Sequence, residues 1–223
     1  MKSPRVQQLI NSITEAIVSR RLLPGTRLPE RELGDIFGIS RTLVRTGIAQ
    51  LKSNGLVEAP SPKITIVAQP SVEDAQTLFS AMQTIESGAV QKLSGALSAT
   101  QLKRLHRHVA LETAAHRRGD DLAANQLGRD FHALLLAQLG NPLLLALFQS
   151  LLTREAVISA LYCTEYDYDH LCDDHTQLLD NLAAGRTKEA QDIVSHHWNH
   201  VVKGIRIHSA NSEQANLAAI LRV

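Results

Sequence analysis

Between Val72 and about residue 205 the apolar residues recur at helical spacing, and no segment alternates as a strand does. Six helices are expected, the first built on the stripe of Leu78, Met82, Ile85, Ala89 and Leu93. The other five are expected at about 100–117, 122–139, 142–162, 168–184 and 187–208, with Thr187 as the N-cap of the last. Short breaks between helices favour antiparallel neighbours. The pattern therefore predicts an all-helical antiparallel bundle, whose interior can hold a ligand.

The first 69 residues are organised differently. A helix to about Arg20 is followed by a turn at 23–26 and a short helix that Pro29 opens and Gly38 ends. Ser40 is a good N-cap for a third helix, which ends at Gly55. Two short strands follow at 56–59 and 64–67. This order is typical of a winged helix-turn-helix, so we predict a mainly α protein with domains at 1–69 and 70–223.

The charge is also divided between these two parts. The whole chain carries a net charge of +1. Residues 1–69 hold ten Lys and Arg against five acids, a balance of +5, and residues 70–223 hold 13 against 17, a balance of −4. All ten histidines lie in the second part. A near-neutral total therefore conceals a basic module suited to nucleic acid and an acidic, histidine-rich one.

The N-terminal residues of the second helix of a helix-turn-helix contact bases in the major groove. Here they are Ser40, Arg41, Thr42 and Arg45. Arg41 and Arg45 are four residues apart and share a face, and arginine suits guanine edges and phosphates. The alternative is a solvated basic face that contacts nothing. The element order and the segment charge favour DNA.

Three histidines fall on apolar stripes of three different predicted helices: His132, His175 and His197. Neutral imidazoles that converge suit Zn²⁺, Ni²⁺ or a similar divalent ion. A single inward histidine is more often a hydrogen-bonded core residue, so that interpretation stays open. His196 and His200 are four apart and are expected to pair on the flank of the last helix, solvated or satisfied by each other.

Two cysteines are too few for a disulfide scaffold, which favours the cytoplasm. No apolar run approaches the roughly 20 residues of a membrane span, and the start lacks a signal-peptide pattern. We therefore expect no membrane partner.

The N-terminal part resembles the DNA-binding half of GntR-type regulators. The similarity lies in residues 23–33 (LPGTRLPEREL), 38–45 (GISRTLVR) and 51–57 (LKSNGLV). The resemblance implies that Arg31, Arg41 and Arg45 contact operator DNA and that Thr42 assists. The glycine usual at the wing tip is replaced by Ser61-Pro62-Lys63, where Lys63 is expected to reach a phosphate.

The C-terminal part resembles the FCD effector domain, and six helices resemble its VanR subgroup. The matching segments are 131–135 (FHALL), 140–142 (GNP), 174–185 (DHTQLLDNLAAG) and 196–197 (HH). The resemblance implies a metal on His132, His175 and His197, the spacing selecting His197 over His196. It also implies an Asp ligand one turn before the first histidine and a small carboxylate effector on the open coordination positions.

Two positions depart from that pattern. Gly128 stands where the Asp ligand is usual, and Met82 replaces a basic residue one turn before Glu86. Met82, Glu86 and Gly128 are therefore the expected effector-pocket residues, with an altered effector preference. Three histidines with water, weak binding or no metal are all compatible with these departures.

Three functions remain. The favoured one is a homodimeric, ligand-responsive regulator of double-stranded operator DNA, a repressor rather than an activator. The second is a three-histidine metal hydrolase with Asp174 as its base, disfavoured because no second carboxylate is expected to point inward. The third is a DNA-binding regulator whose bundle only dimerises. The tail after residue 209 is expected to be a short docked helix or a frayed end.

Overall fold

A computed structural model describes residues 3–162, 168–204 and 216–221 of the chain. Within these ranges the order of elements is α1 (Pro4–Val18), α2 (Glu30–Phe37), α3 (Arg41–Ser53), β1 (Val57–Ser61), β2 (Ile64–Val67), α4 (Val72–Leu93), α5 (Ala99–Arg117), α6 (Asp121–Ala137), α7 (Pro142–Tyr162), α8 (Tyr168–Ala183), α9 (Thr187–Lys203) and α10 (Leu217–Ile220). The mainly helical winged helix-turn-helix and the six-helix C-terminal part are confirmed.

The helix-turn-helix consists of α2 and α3, and its turn is set by two residues. Gly38 ends α2 in the left-handed conformation, with φ 61°, and its N–H bonds the Gly34 carbonyl. The Ser40 side chain accepts a hydrogen bond from the Leu43 N–H at 3.4 Å and so caps α3. Both caps were expected from the sequence, because glycine tolerates positive φ and serine satisfies an unpaired helix N–H.

The wing is an antiparallel pair of β1 and β2, with Val57 opposite Val67. The register is irregular between Glu58 and Ser61. The first strand starts one residue later and ends two residues later than predicted. Lys63 lies in the turn that joins the strands and is exposed.

The helices α4 to α9 form the predicted series with small differences at their ends. The bounds of α7 were predicted correctly, and α6 ends two residues earlier than expected. The N-cap of α9 is Arg186, so the prediction that Thr187 caps this helix is wrong and Thr187 is its first residue. A full capping box between Ser98 and Gln101 fixes the start of α5. The predicted extension of α9 beyond residue 204 lies outside the described residues.

The described residues divide into two compact units. One comprises the residues up to 74 with 153–162 and 216–221, and the other comprises 75–152 with 164–204 where described. In the first unit, Leu217 and Leu221 are buried in the same apolar core as α1 to α3, and Arg21 Nη1 donates to the Ile220 carbonyl at 2.7 Å. The tail therefore contains a docked helical turn, one of the two expected alternatives. The predicted domain boundary after residue 69 stays a prediction.

One described helical window, Pro142–Ser159, is long and apolar enough to cross a membrane, with a mean hydropathy of 1.2. Its length and composition are weak evidence, because the core helices of soluble proteins also reach these values.

We expect Gly38→Ala to lower the free energy of unfolding by about 1–2 kcal/mol, because a side chain disfavours the left-handed conformation. A Cβ atom there also lies 2.7 Å from Arg5 Nη1, which must move. Chemical denaturation followed by circular dichroism measures the change. The matched control is Gly88→Ala in α4, where a Cβ meets nothing within 4 Å. It should raise stability by about 0.5–1 kcal/mol. Equal effects of both substitutions would contradict the argument.

Candidate functional site

Three buried histidines meet inside the second unit. His132 comes from α6, His175 from α8 and His197 from α9, and each is at most 5% exposed. Their ring centroids are 4.9 Å (His132–His175), 5.0 Å (His132–His197) and 4.7 Å (His175–His197) apart. One nitrogen from each lies within 4.8 Å of the other two. The structure thus brings together the three histidines that the sequence singled out, and the neighbouring His196 is exposed.

Each of these imidazoles faces a buried carboxylate through its Nδ1 atom. The distances are 2.7 Å from His132 to Glu86 Oε1, 2.8 Å from His175 to Glu112 Oε2, and 3.4 Å from His197 to Asp174 Oδ2. A carboxylate accepts, so Nδ1 of His132 and of His175 is the protonated nitrogen and Nε2 keeps its lone pair. The contact of His197 with Asp174 is looser and does not meet hydrogen-bond geometry. His175 Nε2 is buried and has no hydrogen-bond partner. The arrangement therefore leaves ligand nitrogens available at the centre of the cluster.

The surroundings favour the neutral form of His132 and of His197. Burial, with a smaller contribution from His197, holds the pKa of His132 well below its ordinary value. Burial also lowers the pKa of His197, against the opposing effect of Asp174. Only a neutral imidazole coordinates a metal, so the depressed pKa values favour ligation at neutral pH.

The three carboxylates differ in their electrostatics. Burial raises the pKa of Glu86, which also accepts a hydrogen bond from Trp198 Nε1 at 2.6 Å. Burial works in the same direction on Glu112, but His175 lowers the pKa of that carboxyl overall. For Asp174 burial is likewise outweighed, chiefly by His197, and the pKa is lowered. Glu112 and Asp174 are therefore anions that orient their histidines.

A small cavity of about 10 Å³ lies at the cluster, and its walls are Glu86, His132, Asp174, His175, Leu178, Ile193, Val194 and His197. A cavity of this size holds about one water molecule. The space therefore suits a single ion or water. Of the three expected effector-pocket residues, Glu86 lines this cavity. Met82 is fully buried, and a Cβ atom on Gly128 stands 3.8 Å from His175 Cε1, but neither Met82 nor Gly128 lines the cavity.

Gly128 is the point at which Glu112 approaches α6. A Cβ atom on Gly128 stands 3.0 Å from Glu112 Oε1 and 3.8 Å from His175 Cε1. The carboxylate that holds His175 thus occupies the space beside the bare backbone of α6. A Cβ atom at 128 requires the Glu112 carboxylate to shift by a few tenths of an ångström.

Sequence reasoning missed Glu112 and did not pair Glu86 or Asp174 with the histidines. The expectation that no second carboxylate points inward is wrong, because Glu86, Glu112 and Asp174 are 1%, 3% and 5% exposed. The helical spacing of α5 contained a signal that could have identified Glu112 as buried. Glu112 continues the stripe of Leu105 and Val109 on α5, both of which are buried. An acid on an apolar stripe is expected to have a buried partner.

The residues proposed for DNA contact lie on the first unit. Arg41, Thr42 and Arg45 are exposed at the start of α3, and Arg31 is exposed on α2. The Ser40 hydroxyl is engaged in the helix cap. Arg45 Nε donates to both carboxylate oxygens of Glu30, at 2.9 and 3.0 Å, and this contact raises the pKa of Arg45. Glu30 therefore restricts the orientation of that guanidinium.

Comparison with protein families decides the class. The FCD domain model matches residues 77–200, more than half of the chain. The model of bacterial regulatory proteins of the gntR family matches residues 5–66. This chain is a GntR-family regulator with an FCD domain. It is a DNA-binding transcriptional regulator and not an enzyme, so the hydrolase alternative is excluded.

Individual relatives agree with this assignment of GntR/FCD type. The chain is 23% identical over 203 residues to the uncharacterized HTH-type transcriptional regulator YdhC of Bacillus subtilis, covering 89% of each protein. It is 25% identical over 222 residues to the HTH-type transcriptional repressor NanR of Cronobacter sakazakii, covering 88% of this chain and 84% of that one. The crystal structure of a putative GntR transcriptional regulator from Rhodococcus sp. RHA1 has the same fold, with TM-score 0.77 and 19% identity over 92% of this chain and 100% of that one.

For metal-free protein we expect Glu112→Ala to lower the free energy of unfolding by about 1–3 kcal/mol, because His175 Nδ1 loses its buried acceptor. Glu112→Gln retains an acceptor oxygen and should cost less. Urea titration after dialysis against a chelator measures both. The control is Asp173→Ala, an exposed acid on α8. A Glu112→Ala protein as stable as this control would show that the contact contributes nothing.

Proposed function

We propose that this GntR/FCD regulator is a cytoplasmic homodimeric repressor, which a small carboxylate bound at a metal ion in the C-terminal bundle releases from its operator. The observation that carries the proposal is the set of three buried histidines, each oriented by its own carboxylate. An ordinary core has no use for six buried polar side chains at one point, because each must be desolvated.

The donor set suits Zn²⁺ or Ni²⁺. Metal-binding histidines usually donate their second ring nitrogen to a carboxylate, which fixes the ring and increases its basicity. Three nitrogens at about 2.0–2.1 Å from a tetrahedral ion stand about 3.3 Å apart, so the present separations of up to 4.8 Å need only a small contraction. Glycine at 128 offers no ligand, so water completes the coordination.

The effector proposal follows from charge. The anionic Glu112 and Asp174 balance a divalent ion, and the open coordination positions then favour a small anion. The cavity of about 10 Å³ holds only an ion or one water, so a bound carboxylate has to displace lining side chains. An effector that prefers one dimer geometry shifts the population between states that fit the operator and states that do not. Repression is supported by the relative NanR, which is named a repressor.

For the DNA interface we propose that Arg41, Thr42 and Arg45 contact bases. Ser40, which caps α3, would lie nearest the DNA backbone. Arg31 and Lys63 would bind phosphates. All six residues are exposed; Ser40 is engaged in the helix cap and Arg45 in its contact with Glu30. A homodimer would place two α3 helices in successive major grooves of a two-fold operator.

A second candidate function is favoured by Gly128, which supplies no carboxylate ligand. In this alternative the bundle, which has no carboxylate ligand at 128, serves only for dimerisation. Thermal stability measured across metals and carboxylates separates the two functions. A ligand of the native state raises the apparent stability by about 2.7 kcal/mol at one hundred times its Kd.

We expect chelation to lower the melting temperature, and Zn²⁺ or Ni²⁺ to restore it, with at least one ion per chain by elemental analysis. His175→Ala should lower the ion count by one and reduce the stabilisation by the metal, since it removes a ligand of the buried ion. The control is His106→Ala, a partly exposed histidine on α5 outside the cluster. Unchanged melting of the wild-type chain with every metal and carboxylate would favour the dimerisation function.

We expect Arg41→Ala and Arg45→Ala each to weaken operator binding by about 1–3 kcal/mol, roughly 5- to 150-fold, because each removes an arginine that reads a base. A mobility-shift titration on DNA selected from random sequence measures this at fixed salt. Arg104→Ala, at an exposed position on α5, should bind like the wild type. Full affinity in both α3 variants would overturn the proposed interface.

A further inference from the structure

Outside the buried cluster, a second group of metal-binding side chains bridges α8 and α9. It contains His170 and Asp174 from α8, and His196 and His200 from α9. We propose that this outer cluster is a second divalent transition-metal site, accessible from solvent and sharing Asp174 with the buried histidines.

The ligand atoms are already close. His170 Nε2 lies 3.3 Å from His196 Nδ1, and Asp174 Oδ1 lies 3.9 Å from the first and 3.7 Å from the second. The His200 ring centroid is 4.7 Å from that of His170. Nitrogens of a common tetrahedral ion stand about 3.3 Å apart, so the two imidazoles are spaced for one ion.

The scaffold supports this spacing. His170 and Asp174 are separated by one helical turn, as are His196 and His200, so each pair faces one direction. The two helices pack directly against each other, which brings the pairs together. Ligands held on rigid helices need little ordering when an ion binds.

The chemistry selects the class of ion. Imidazoles with one carboxylate suit Zn²⁺, Ni²⁺ and Cu²⁺, whereas Mg²⁺ and Ca²⁺ prefer oxygen ligands only. The cluster is reachable from solvent, since the side chains of His170 and His196 are 39% and 56% exposed. An ion can therefore exchange without any opening of the bundle.

Asp174 connects this cluster to the interior. Its side chain is only 6% exposed, with Oδ1 toward His170 and His196 and Oδ2 toward His197 Nδ1, 3.4 Å away. A buried carboxylate with one oxygen directed at exposed imidazoles is a costly arrangement for a simple surface pair. An ion on Oδ1 withdraws negative charge from the contact with His197, so occupation of one site changes the affinity of the other.

Isothermal titration of the full chain, stripped with chelator, with NiCl₂ tests the proposal. The wild type should bind ions at two classes of site. His170→Ala with His196→Ala should remove one class, and His175→Ala should remove only the other. Asp174→Asn should weaken the outer site and, through His197, the buried site by about 10–100-fold. The matched control Asp173→Asn, at the exposed neighbouring acid, should change neither.

A double variant that retains every class of site would overturn the proposal, as would Asp174→Asn behaving like Asp173→Asn. Circular dichroism checks the fold, and the single variant His196→Asn replaces the double variant if that is unstable. Cu²⁺ electron paramagnetic resonance on the His175→Ala chain gives an independent test. Nitrogen hyperfine splitting there supports the outer site even if the buried metal proposal fails, and its absence overturns the outer site alone.

Discussion

The pairing of three buried imidazoles with three buried carboxylates is the constraint on which the C-terminal part of this protein depends. The six groups come from five helices, α4, α5, α6, α8 and α9. Burial of any one without its partner costs far more than a lost apolar contact. The helices are therefore held in one relative arrangement by polar contacts as well as by apolar packing. Such a network specifies position better than a core of interchangeable aliphatic side chains.

Much of this architecture could be predicted from the sequence, because the signals were local. Gly38 marks the end of α2 by its left-handed backbone, and Ser40 marks the start of α3 by its side-chain cap. The apolar stripes that contain His132 and His175 are recognised from helical periodicity alone. The error at Thr187 has the same local origin: a threonine is a frequent N-cap, but here Arg186 occupies that position without a side-chain bond. Propensity alone does not choose between adjacent residues.

The carboxylate partners were harder to predict because they are non-local. Glu112 and His175 are 63 residues apart, and Glu86 and His132 are 46 apart. Nothing in the spacing along the chain pairs them, since pairing depends on which helices become neighbours. Sequence reasoning therefore found the histidines and named Glu86 and Asp174, but it did not find Glu112 and did not pair any of these acids with its histidine. The contact of Arg45 with Glu30 was missed for the same reason, since it joins α2 to α3.

The close approach at Gly128 has an evolutionary consequence. A Cβ atom at this position requires Glu112 Oε1, 3.0 Å away, to move by a few tenths of an ångström, so a substitution at 128 acts on the carboxylate that contacts His175 through its other oxygen. Positions 112 and 128 are thus epistatic: a change at either has an effect that depends on the other.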